Sequence, residues 1–173
     1  MMGTRGARTP IWMSLAFVLV LAACLKAPAR NEVKAAPTFS LPDLAGGTVT
    51  LASLKGKVVI MDFWATWCGP CIQEIPDYVE FWRKNHGRGV EVIGVVVESG
   101  EPGEIQDFVR EHQIPYRQLV GNDAVIDAFG ADLGLPTTFV IDAGGMIRHK
   151  AVGSRPDKFQ KLQQAVDAAL PAS

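Results

Sequence analysis

Ten consecutive residues, Asp62-Phe63-Trp64-Ala65-Thr66-Trp67-Cys68-Gly69-Pro70-Cys71, decide how the rest of the chain is read. Their first residues end the apolar run Val58, Val59, Ile60 and Met61, and 57–63 predicts a strand buried on both faces. Their last residues open a helix predicted over 70–86, with Ile72, Ile75, Val79 and Trp82 on its apolar side. Two cysteines three positions apart on a helix's first turn place their sulfurs on one side, within reach of a Cys68–Cys71 disulfide. The positive end of the helix dipole and the unpaired N–H groups there favour a thiolate at Cys68. Thiolate is the attacking species in disulfide exchange. Cys71, one turn deeper, is expected to be the more buried sulfur and the resolving thiol.

Other uses of the pair fit less well. A structural zinc site needs four ligands; no second cysteine pair exists, and His86, His112 and His149 are not spaced to complete one. Covalent haem attachment needs a histidine after the second cysteine, where Ile72 stands. A purely structural bridge closing so short a loop would constrain little of the unfolded chain. No metal and no cofactor are expected.

Outward from the motif, strand and helix signals alternate. A short strand is predicted at 48–51 after Gly46-Gly47, and a doubly buried one at 90–97. A helix at 103–112 follows, with Ile105, Phe108 and Val109 on one side. Then come a strand at 116–120 and a short helix at 124–129. Segments 137–142 and 147–152 flank Ala143-Gly144-Gly145, a hairpin signal. A final helix over 156–170 carries Phe159, Leu162, Val166 and Ala169 on its inner stripe. Such alternation predicts an α/β fold with a mixed sheet covered on both faces. At 173 residues, 48% hydrophobic and 20% charged, the chain suits one globular domain. The net charge of −1 leaves no electrostatic footprint for nucleic acid.

Three segments resemble the thioredoxin family. The decisive stretch matches its active-site segment almost residue for residue, and Pro76 matches its helix kink. Gly134-Leu135-Pro136-Thr137-Thr138-Phe139-Val140-Ile141-Asp142 resembles its cis-proline segment. The opening Ala36-Pro37-x-Phe39, the stretch 51–57 and an added strand–helix unit over 92–120 resemble the TlpA/ResA-like branch, within the AhpC/TSA–redoxin-like superfamily. The resemblance covers about 37–170. It implies a thioredoxin fold with an N-terminal β extension and a strand–helix insertion.

The resemblance also implies roles. Cys68 is the nucleophile and Cys71 the resolving thiol. Trp67, Gly69 and Pro70 lie beside the sulfurs as substrate-binding residues, with Trp64 and Trp67 also expected to pack and Trp67 partly to shield the pair. Pro136 is the cis-proline facing the pair, leaving the backbone of Leu135 to align an extended substrate segment; the alternative is an ordinary trans proline opening a strand. Asp62 interrupts an apolar strand, where an unpaired carboxylate is costly. With a raised pKa it can shuttle the proton of Cys71; the alternative is a strand-end acid facing water. Glu98 ends the strand at 92–97, on the sheet edge that also carries Cys68. There it is either a second catalytic acid near the pair, as its ResA-like surroundings suggest, or a loop acid.

The first 24 residues read as an export signal. Arg5 and Arg8 precede an apolar run at 11–21 that is short for a membrane span. Leu21-Ala22-Ala23-Cys24 resembles a bacterial lipobox, in which the peptide is cut before the cysteine and the thiol takes lipid. An uncleaved anchor and a plain secretory cut are the alternatives. Of the three cysteines, lipidation of Cys24 would leave only the pair in the mature protein. Residues 25–37 are expected to be a flexible tether of on the order of 40 Å, before a domain at 38–173.

The expected function is a membrane-tethered, periplasm-facing reductant of disulfides in envelope proteins, apocytochrome c being one target class. A membrane or thioredoxin-type dithiol is the expected electron donor. Two alternatives are a thiol peroxidase and a metal-handling or chaperone lipoprotein. The first shares the 37–54 opening but lacks the proline of a peroxidatic site; the second wants a longer cysteine spacing and a distant histidine.

Overall fold

The computed structural model describes residues 34–171. The signal, Cys24 and most of the tether lie outside the described residues.

Five strands form the central sheet: β3 (Val58–Trp64), β4 (Val90–Val96), β5 (Arg117–Val120), β6 (Thr137–Ile141) and β7 (Ile147–Val152), in spatial order β5-β4-β3-β6-β7. β3, β4 and β5 run parallel, joined through α1 (Gly69–Asn85) and α2 (Pro102–Glu111). β6 pairs antiparallel with β3 and with β7. α3 (Asp123–Phe129) leads to β6, and α4 (Lys158–Ala169) ends the fold.

Every residue of β3 is buried, as its unbroken apolar run requires for a central strand. Strand alternation divides it. Val58, Ile60 and Trp64 face Ile75 and Tyr78 of α1 and Leu162 and Val166 of α4. Val59, Met61 and Phe63 face Val125 and Phe129 of α3, with Leu41 and Val49. Asp62 therefore points to the α1/α4 side. Its register partner on β4 is Gly94, where a Cβ would collide with Gln118 Oε1 and Trp64 Nε1. A bare backbone there lets the buried Trp64 indole donate to Gln118 at 3.0 Å.

A small hairpin, β1 (Ser40–Pro42) with β2 (Thr48–Thr50), precedes the sheet. It reaches the β5 edge, where the Leu44 N–H donates to Gln118 O and Asp43 bridges Leu119. At the other edge Ala36 N–H donates to Gly145 O and Ile147 N–H to Lys34 O. Residues 34–36, assigned by sequence to the tether, are thus bonded to the turn before β7. The extension covers part of both sheet edges, which would otherwise offer unpaired backbone.

Three expectations change. The strand at 48–51 stops at Thr50, because Thr50 and Ser53 form a reciprocal capping box and start a 3-10 turn, Leu51–Leu54. The buried face of α1 is wider than the expected Ile72, Ile75, Val79, Trp82 stripe. It holds Cys71, Glu74, Ile75, Tyr78, Val79, Phe81 and Asn85, while Ile72 and Trp82 are half-buried. On α4 the buried stripe is Lys158, Leu162 and Val166, headed by a lysine. In both helices polar residues take inward positions that a hydrophobic pattern assigns to the outside.

Candidate active site

Cys68 holds the N-cap of α1, with extended backbone at φ −81° and ψ 101°. Its sulfur accepts the Cys71 N–H at 3.3 Å, the bond an N-cap side chain ordinarily makes. The two sulfurs are joined in a disulfide, with the Cα atoms 5.2 Å apart. Gly69 and Pro70 are the first two helical residues; proline is tolerated there because those N–H groups have no intrahelical partner. Burial does not separate the sulfurs as expected: Cys68 is 5% exposed and Cys71 4%. Position does. Cys68 lines a surface groove of about 440 Å³ with Phe63, Trp67, Val97, Glu98 and Leu135, while Cys71 faces the core.

The Leu135–Pro136 bond is cis, and Thr137 Oγ1 donates to Gly134 O at 2.6 Å in the same loop. Leu135 is half-buried in the groove wall and Pro136 is buried. Trp67 departs from expectation. Trp64 is a buried packing residue, but Trp67 is 61% exposed, because its indole N–H is held at the surface by Glu98 O at 2.7 Å. Glu98 itself is exposed on the groove rim, with a left-handed φ of 48°. Its backbone, through Trp67, is what ties it to the cysteine loop. Beside it the Thr66 N–H donates to Ser99 Oγ at 2.9 Å, and Ser99 Oγ donates to Val97 O.

Asp62 is buried within β3, between β4 and β6, at 4% exposure. Its Oδ1 accepts from Tyr78 Oη at 2.8 Å and from Thr138 Oγ1 at 2.7 Å, and those hydroxyl oxygens are themselves 2.7 Å apart. Three oxygen–oxygen contacts with two hydroxyl protons leave one contact without a hydrogen while the carboxylate is ionised. A proton on the carboxyl group supplies the third. Burial pushes Asp62 up from the ordinary carboxylate value to about 6, against the lowering effects of Lys158 and of both hydroxyl bonds. Burial, with the Asp62 charge beside it, also pushes the Tyr78 hydroxyl up, so it remains neutral.

Two further buried charges were not singled out from the sequence. Lys158 Nζ donates to Glu74 Oε2 at 2.5 Å and lies 4.0 Å from Asp62 Oδ1. Glu74, three residues after Cys71, shares its helix face. Among the described residues no group of three or more His, Cys, Asp or Glu side chains is arranged to hold a metal ion.

The AhpC/TSA family model matches residues 33–150, which include the cysteine loop and the cis-proline segment. The chain belongs to the AhpC/TSA family. Within it, the chain is 36% identical over 138 residues to the thiol–disulfide oxidoreductase ResA of Geobacillus thermodenitrificans, covering 79% of this chain and 76% of the relative. ResA of Bacillus cereus is 34% identical over 122 residues, 70% of each chain. A solved thiol:disulfide interchange protein of the thioredoxin family from Chlorobium tepidum superposes with a TM-score of 0.70 at 33% identity, over 83% of this chain and all of that one. This AhpC/TSA member thus has the thioredoxin fold, a mixed sheet flanked by helices. It is a thiol–disulfide oxidoreductase carrying a Cys68–Cys71 pair.

Proposed function

We propose that this oxidoreductase reduces disulfides of exported proteins while tethered to a membrane through lipid on Cys24. The observation that carries the redox reading is the Cys68 sulfur at the helix N-cap on a groove floor, backed by Cys71 and a buried Asp62. The tether rests on Leu21-Ala22-Ala23-Cys24; among the described residues no helix is long and apolar enough to cross a membrane.

The target lies extended in the groove, its backbone aligned by Leu135 and Pro136 and its flanks against Trp67, Gly69 and Pro70. The Cys68 thiolate attacks one target sulfur. The target S–S bond breaks, a Cys68–target bond forms, and the other target sulfur leaves as thiolate and is protonated from solvent. Cys71 gives its proton to the Asp62 carboxylate and attacks Cys68 Sγ. The Cys68–Cys71 bond forms, and the second target sulfur leaves with the electron pair and takes up a proton. The target gains two electrons and two protons, and a membrane or thioredoxin-type dithiol re-reduces the pair. Glu98 contributes a charge at the rim. Apocytochrome c, with its paired cysteines, is one fitting target class.

Trapping tests the proposal. A Cys71→Ser chain expressed with its own signal should accumulate thiol-releasable mixed disulfides with envelope proteins at Cys68. Recovery of none, alongside inactivity in insulin reduction by the wild type, would contradict it. Asp62→Asn should slow turnover and let the mixed disulfide build up, with alkylation of Cys68 at neutral pH little changed.

A further inference from the structure

We propose that Lys158 is a positioning residue of this redox site, binding Asp62 and Glu74 into one buried cluster and setting the proton affinity of Asp62.

Helix pattern alone calls for an apolar residue at 158, which heads the buried stripe completed by Leu162 and Val166. A lysine there meets two penalties. The residue is only 2% exposed, so its ammonium loses its hydration. It also sits on the first residue of α4, at the positive end of the helix dipole. Apolar replacement of such buried ions is often neutral or stabilising, so packing does not account for a lysine here.

The surroundings are built around its charge. Glu74 Oε2 accepts from Nζ at 2.5 Å and Asp62 Oδ1 lies at 4.0 Å. The ring faces of Tyr78 and Phe159 lie 5.1 Å and 5.9 Å from Nζ. Two carboxylates and one ammonium carry one excess negative charge in a buried site, and one added proton makes the cluster neutral. Glu74 holds the direct bond to the ammonium, so the more distant Asp62 is where that proton goes. The upward displacement of Asp62 agrees, with burial as its main cause and Lys158 as the largest opposing influence.

The groups facing Asp62 are few. From α1 they are Glu74 and Tyr78; from β6, Thr138; before β5, Tyr116. Burial raises both tyrosines, and Gly94 offers no side chain from β4. Lys158, from α4, is the cation among them. Its bearing on catalysis rests on the reading of Asp62 as proton acceptor for Cys71.

The test follows the Asp62 carboxyl carbon by NMR across pH in the reduced full-length chain, assigned with Asp62→Asn. Lys158→Gln, which keeps a donor for Glu74, and Lys158→Met should both move the Asp62 midpoint upward by about one pH unit or more. In the wild type the Lys158 Nζ resonance should inflect at the Asp62 midpoint, a readout that survives if either variant fails to fold. A midpoint unchanged in a folded variant, or no inflection at Nζ, would overturn the proposal. The pH profile of mixed-disulfide resolution separates this from the underlying reading. If the Asp62 midpoint moves and the rate profile stays put, the Lys158 coupling stands and the role of Asp62 in resolution fails.

Discussion

The indole N–H of Trp67 donates to the carbonyl oxygen of Glu98 at 2.7 Å, fastening the loop before α1 to the loop that follows β4. The bond holds a large apolar ring at the surface, one residue before Cys68 and on the rim of the groove. Exposed tryptophans beside a binding groove commonly contribute much of a partner's affinity.

Trp67→Ala should therefore raise KM for a protein disulfide several-fold. The rate with a small aromatic disulfide should stay within about twofold, and stability should fall by less than about 1 kcal/mol, since the lost bond is solvent-exposed. Steady-state kinetics with both substrates check this. Equal losses with both would place Trp67 in the chemistry rather than in target contact.

Asp62 makes stability depend on pH in an uncommon direction for a carboxylate. Its folded value of about 6 lies above the ordinary 3.8, so between these values the folded state binds more proton than the unfolded state. Its contribution is present below about pH 4 and is lost as pH rises through 6. The displacement corresponds to about 3 kcal/mol at most. Asp62→Asn should leave oxidised protein little changed near pH 4 and stabilise it by about 1 to 3 kcal/mol at pH 8. Denaturant melts at the two pH values measure it, and a variant less stable at pH 8 than at pH 4 relative to wild type would contradict it.

Much of the fold was legible because its signals are local. The Val58 to Met61 run fixed a central strand, Cys68-Gly69-Pro70-Cys71 fixed a helix start, and Ala143-Gly144-Gly145 marked the hairpin turn. The polar cluster was not legible, because its members meet only in the fold: Asp62 with Thr138 across 76 positions, and Glu74 with Lys158 across 84. Neither Glu74 nor Lys158 belongs to the apolar stripes that hydropathy marks on their helices. Their spacing carried a usable signal, since Glu74 stands three residues after Cys71 and Lys158 four before Leu162. The exposure of Trp67, expected to pack, was not legible because its placement depends on one backbone carbonyl, Glu98 O, in the loop after β4.

Lipidation of Cys24 is tested by expression in a Gram-negative cell. The chain should incorporate labelled palmitate and sediment with membranes. Cys24→Ala should lose the label while the isolated domain keeps its insulin-reducing activity. Release of the wild type by carbonate washing would contradict a covalent lipid anchor.

The division of labour between the two sulfurs is the centre of the account, and alkylation of the reduced protein tests it most directly. Cys68 occupies the N-cap, where the Cys71 N–H and the helix dipole favour thiolate, and it opens on the groove. Cys71 faces the core, three residues before Glu74 on the same buried face of α1. Iodoacetamide rates, resolved by residue and followed across pH, should show Cys68 modified much faster than Cys71 near neutrality, with a midpoint below that of a free cysteine. Faster modification of Cys71, or a Cys68 midpoint at or above that of a free cysteine, would contradict the assignment of Cys68 as nucleophile.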